Sequence, residues 1–211
     1  MPQLDLQPDA TTGKDTLIDS GNPTTNYGTN VEMYIGNPVK TGTIYRSIIE
    51  FDISAIPAGS TILATSLLRL YVTVAGFASV AAHIYRLRRS DWVELEATWN
   101  IYKTANNWGN AGAASSTTDI DTSISVAYTT PAATGDSDIG ASGTPGTEMA
   151  AFLQDALNNR SGKVIMLLRT DAETNDGYNI KSSDASTAAD RPELIIDYTT
   201  PTGFHRMMFG G

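Results

Sequence analysis

The chain has 211 residues, no cysteine, and 14 Lys and Arg against 23 Asp and Glu, for a formal net charge of -9. That balance argues against a nucleic-acid partner, which needs basic clusters, and the lack of cysteine excludes a disulfide framework, a thiolate nucleophile and a cysteine zinc site. Hydrophobic residues at 41% can build a core, while the low charged share of 18% leaves a Thr, Ser, Asn and Gly mix that suits short strands and turns better than long helices.

Residues 1–14 are polar, carry two prolines and read as an extended arm; they lack the basic and apolar regions of a secretory signal. No window has the apolar length of a membrane span. Short strands follow at 16–19 and 33–36, separated by turn signals at Gly21-Asn22-Pro23 and Asn26-Tyr27-Gly28. The organising stretch is 46–74. Its first apolar run places Ile48 and Phe51 on the core face, Ile56-Pro57-Ala58-Gly59 supplies a turn, and Leu68, Leu70, Val72 and Val74 then alternate at period two.

A further strand covers 83–87 and opens onto a basic knot, Arg86, Arg88 and Arg89, which alternation splits between two faces. The block from Ser90 to Gly109 holds all three tryptophans. Residues 109–146 are rich in Gly, Ala, Ser and Thr, with a strand expected only at 120–128. Met149, Phe152, Leu153, Ala156 and Leu157 form one helical face, with Thr147 as the expected N-cap and a stop over 158–162. Val164 to Leu168 is a continuous apolar run, the pattern of a buried strand, and strands at 178–181 and 194–198 complete the set. The fold class is all-β: an antiparallel jelly-roll β-sandwich with one short helix, a single core over 15–200, and extended arms at 1–14 and 201–211.

Several motifs occur in order: DTLIDSGNPTTNYG, MYIGN, YRSIIEFDISAIPAGSTI, DWVELEATWN and KSSDASTAADRPELIIDY. Together, over roughly residues 15–198, they resemble the DNRLRE-type (disaggregatase-related) domain, a jelly-roll module similar to carbohydrate-binding modules. The resemblance implies a non-catalytic β-sandwich of the kind carried in large secreted proteins beside enzymatic or adhesive domains.

Trp92, Tyr102 and Trp108 are the glycan-binding candidates, because flat aromatic faces bury large area against sugar rings. The structural alternative is that Trp92 and Trp99 pin the block to the sandwich, as buried Trp commonly does. Glu94 and Glu96 are read as solvated positions, since glycosidase carboxylates normally come from different elements. His83 reads as a packing residue and Arg46 as the partner of a carboxylate in the sheet. No cofactor is expected; Asp171, Glu173, Asn175 and Asp176 offer a set of calcium-competent oxygens that reads better as a polar turn. Phe204, Met207, Met208 and Phe209 form an apolar tail suited to docking on a partner subunit, with folding back onto its own domain as the alternative. The first functional expectation is a non-catalytic virion surface or decoration component, homo-oligomeric or lattice-bound. The alternative is an extracellular carbohydrate-binding module; neither needs nucleic acid or a membrane.

Overall fold

The computed structural model describes residues 1–38, 42–76, 79–173 and 176–201. The elements in chain order begin with β1 (Gln3–Leu6), β2 (Asp15–Asp19), β3 (Glu32–Gly36), β4 (Tyr45–Asp52) and β5 (Thr61–Ile62). Then come β6 (Leu67–Val74), β7 (Ala81–Leu87), β8 (Ile101–Lys103), β9 (Asn106–Asn107) and β10 (Ile120–Thr129). β11 (Gly135–Gly140), α1 (Gly143–Asn159), β12 (Lys163–Thr170), β13 (Gly177–Lys181) and β14 (Glu193–Thr199) close the chain. Twelve strands make one antiparallel sheet in the order β1-β14-β6-β13-β3-β4-β12-β7-β10, with β11 on β6, β2 on β4 and β5 on β14; β8 and β9 form a separate hairpin. The sheet curls into the expected sandwich. Part of the expected N-terminal arm is sheet edge, since β1 pairs with β14 from Gln3 opposite Asp197 to Leu6 opposite Leu194.

Side-chain alternation explains the curl. In β4, Ile49 and Phe51 face the main core together with Leu68, Leu70 and Val72 of β6 and Val164, Met166 and Leu168 of β12. Ile48, placed with Phe51 by the sequence reading, lies on the opposite face, as period two demands of positions three apart. Val74 ends β6 exposed. The outer face is not open to water: Ile18, Ile48, Ile165 and Leu167 pack with Trp92, Ala97, Tyr102, Trp108 and Ala113 into a second hydrophobic cluster. The single core expected from the sequence is therefore two, with β4 and β12 sandwiched between them. That double burial is why β12 reads as an unbroken apolar run.

α1 closes one side. Met149, Phe152 and Leu153 are buried in the main core, at ~1.5–3 kcal/mol each. The helix starts one turn before the expected cap: Ser142 is the N-cap residue, and Thr147 instead donates its hydroxyl to the Gly143 carbonyl. Pro145 is tolerated there because the first turn has no partner for its missing N–H. Ser161 and Gly162, both with positive φ, end the helix as expected. Among the described residues no helix is long and apolar enough to cross a membrane.

Candidate functional site

The tryptophan block is held on the outer face of the sheet by specific hydrogen bonds. Asn26 donates its side-chain amide to the carbonyls of Glu94 (2.6 Å) and Ala97 (2.7 Å), and Asn100 N–H donates to the Pro23 carbonyl at 3.2 Å. Those bonds staple the loop over 20–28 to the block. Within the block, Trp108 donates its backbone N–H to the Asn100 carbonyl (3.1 Å) and its indole N–H to the Thr98 carbonyl (2.9 Å). Asp119, fully buried, accepts the backbone N–H groups of Gly109, Asn110 and Ser115 at 2.8, 3.1 and 3.1 Å. One carboxylate thereby fixes the loop that follows Trp108.

This scaffold forms an open cleft of about 420 Å³ lined by Thr24, Asn100, Ile101, Asn107, Trp108 and Ala111, with Thr98 behind. Asn100 and Asn107 are exposed. Among the described residues, neither side-chain amide makes a hydrogen bond within the protein, and neither does the Thr24 hydroxyl. Among the described residues no carboxylate lines the cleft.

The three ring candidates sit deeper than a sugar platform would. Trp92 is 1% exposed, Trp108 4% and Tyr102 8%. Tyr102 and Trp108 pack at 5.4 Å between ring centroids, tilted by 51°. Trp108 reaches the amide cleft as a wall. Trp92 lines a second cleft of about 500 Å³ with Lys14, Glu50, Val93 and Leu95, the last 62% exposed. There Glu50 Oε2 accepts both the Trp92 indole N–H and the Lys14 ammonium at 2.7 Å, while Lys14 lies 4.4 Å from the Trp92 ring centroid. Trp99, half-buried, lies under Arg46 at 5.1 Å. Gly112 adopts a positive φ beside it, where a Cβ would come within 2.6 Å of the Trp99 ring.

The remaining candidates hold structure. Arg46 forks onto Glu173 at 2.6 and 2.7 Å; the carboxylate partner that the sequence anticipates is there, but it lies in the turn after β12 and not in the sheet. His83 is stacked on Tyr85 and lies 2.7 Å from Asp171. With Glu173 and Asp171 so engaged and Asp176 accepting the Gly177 N–H, no group of metal-ligating side chains comes together among the described residues. Asn175 lies outside them, as do Phe204, Met207, Met208 and Phe209. Glu94 accepts the Asp15 N–H at 2.7 Å and Glu96 the Thr104 N–H at 2.6 Å. Burial pushes the Glu94 carboxyl up, whereas the Thr104 N–H and hydroxyl pull Glu96 down.

Sequence reasoning missed Asn100, Asn107 and Thr24. The only signal for the two asparagines is an excess of amides between aromatic residues in the block, which reads equally well as turn chemistry, and Thr24 carries no signal at all.

The family model for carbohydrate-binding module family 96 matches residues 7–125, more than half of the chain and all of the residues lining the amide cleft. The chain belongs to carbohydrate-binding module family 96. The carbohydrate-binding half of the sequence resemblance is thus shown, and the DNRLRE-type label has no separate support. Neither fold nor family speaks for a virion role. No curated protein matches the chain.

Proposed function

We propose that the chain is a non-catalytic carbohydrate-binding module of a cell-surface or secreted polysaccharide-targeting system, and that the cleft at Asn100, Asn107 and Trp108 takes the sugar. The observation that carries this reading is the pair of free amides beside an apolar wall. Each amide offers both donors and an acceptor, which matches the mixed character of sugar hydroxyls, while Ile101, Ala111 and Trp108 suit the C–H faces of the ring. The cleft is open, as a polymeric ligand requires. Glycoside hydrolysis usually takes a carboxylate pair across the bond, and among the described residues the cleft lining supplies none. Glu94 and Glu96, the nearest pair in sequence, are committed to backbone N–H groups.

The test is affinity electrophoresis or calorimetry of the protein against a panel of soluble polysaccharides. Replacing Asn100 and Asn107 together by Ala should weaken the retained ligand by about ten-fold or more, ~1.4 kcal/mol, with the thermal midpoint unchanged because both side chains are exposed. Undiminished binding by the double variant to every polysaccharide that the parent retains would move the site elsewhere.

A further inference from the structure

In a chain of net charge -9, one pocket gathers cations. It lies between the end of β7 and the C-terminal turn of α1, measures about 330 Å³, and is lined by Arg86, Arg88, Ser90, Arg160, Ser161 and Lys163 among others. A volume near the small end of the ligand-pocket range suits a compact guest. We propose that this pocket binds a phosphate group, as the free ion or a monoester.

Arg86 makes the argument. Its guanidinium is well over nine-tenths buried, yet Nε and Nη1 make no hydrogen bond and are shut from solvent by the surrounding protein. One nitrogen, Nη2, donates to Asp121, and Nη1 lies 3.3 Å from Asp155 Oδ2 without hydrogen-bonding geometry. A buried, always-charged fork with idle donors is poorly satisfied; to the pocket it contributes positive charge, and a guest bonds these nitrogens only if Arg86 turns toward it.

The rim supplies further positive charge. Arg88 is held by Asp121 at 3.1 Å and by the Ile120 carbonyl at 2.9 Å, and Arg160 by Asp155 at 3.3 Å. Lys163 is exposed and forms no ion pair within 4.0 Å among the described residues, although Asp52 stands opposite it in the β4–β12 ladder. Arg86, Arg88, Arg160 and Lys163 outnumber the carboxylates near them, Asp52, Asp121 and Asp155. The hydroxyls of Ser90 and Ser161 make no hydrogen bond within the described protein. The nearby helix terminus would repel an anion through free carbonyls, but here they are partly occupied: the Ala156 carbonyl accepts from Arg160 and Gly162, and the Arg160 carbonyl from Lys163. Donors arriving from several directions fit a tetrahedral dianion with several acceptor oxygens better than a monocarboxylate with two. Asn159 to Lys163 lie beyond the matched family segment, so the family match covers only the β7 side of the pocket.

Calorimetric titration of the full chain with inorganic phosphate, glucose 6-phosphate and acetate at constant ionic strength tests the proposal. Saturable binding of inorganic phosphate or of the monoester is expected, with the tighter of the two identifying the natural form, and acetate should give none. Affinity for the monoester should fall as pH drops through about 6, where its dianion gains a proton, and affinity for the free ion should begin to fall at higher pH. Replacing Arg160 by Gln and Lys163 by Ala, both exposed, should weaken phosphate binding at least ten-fold with the phosphate-free thermal midpoint unchanged. The Asn100 and Asn107 double variant should bind phosphate like the parent, so the two sites succeed or fail separately. No saturable binding of either phosphate, equal binding of acetate, or an unaffected Arg160/Lys163 variant would overturn the proposal.

Discussion

Asp15 sets up the sharpest test of the energetics. It opens β2 almost wholly buried; Oδ2 accepts the Ser183 N–H at 2.8 Å, while Oδ1 is shut from solvent with no partner. Its neighbour Lys14 is spent on Glu50, and the carboxyls of Glu94 and Asp184 stand close by. Burial, eased by the Ser183 bonds and reinforced by those two acids, pushes the Asp15 pKa from 3.8 to about 7. The folded-state value lies above the unfolded one, so this group's stabilisation is complete below about pH 4 and is lost as pH rises through about 7. A rise of that size corresponds to about 4 kcal/mol across the window, an upper figure. Asp15→Asn removes the titration and keeps a carbonyl for the Ser183 N–H. Urea unfolding at about pH 5 and about pH 8 should show the parent losing stability at the higher pH, on the order of 1–4 kcal/mol, and the variant losing much less. A smaller slope of the same sign should persist, because burial also raises Glu94 and Asp184. Asp52, Asp91 and Glu96 are held low by hydrogen bonds and act below this window. An Asn variant that is less stable than the parent at about pH 8, or that keeps the parent's slope, would mean that Asp15 is ionised and well solvated in the fold.

Trp92→Phe keeps most of the buried ring but removes the indole donor to Glu50, and should cost about 1.5–3 kcal/mol in urea unfolding, the range for a hydrogen bond to a charged group; no loss would mean that Lys14 alone satisfies Glu50. Phe51→Ala should cost about 3–5 kcal/mol and leave a β-rich circular dichroism spectrum, since the main core around it is continuous; a change under 1 kcal/mol would remove Phe51 from that core.

What the sequence disclosed follows from which signals are local. The alternation in β6, the apolar run of β12 and the helical face of α1 depend on neighbours within one element, and each appears where the pattern puts it. β11 was illegible because GDSDIG has no strand composition. It is a strand only because the β6 ladder pairs it, from Gly135 opposite Val72 to Gly140 opposite Leu67. The outer face of β4 is hidden from the sequence for a related reason: what covers Ile48 is a block more than forty residues later, and nothing near Ile48 encodes that cover.

The same distinction governs the sites. Trp108 sits in a run, Asn-Asn-Trp-Gly, that reads as an exposed loop; its burial is imposed by the Thr98 carbonyl and the Tyr102 ring, and the exposed Asn100 and Asn107 line the cleft beside it. Arg86 looks like one member of a basic strand end, yet Asp121 lies across the β7–β10 ladder from it and Asp155 reaches it from α1. Its two idle donors exist only because those elements converge. A binding site assembled from edges of separate elements leaves no period in the sequence, whereas the core that positions those edges must repeat with the strand or the helix. Composition and periodicity therefore locate the walls of this module, and unsatisfied donors and acceptors at the joins locate what it can hold.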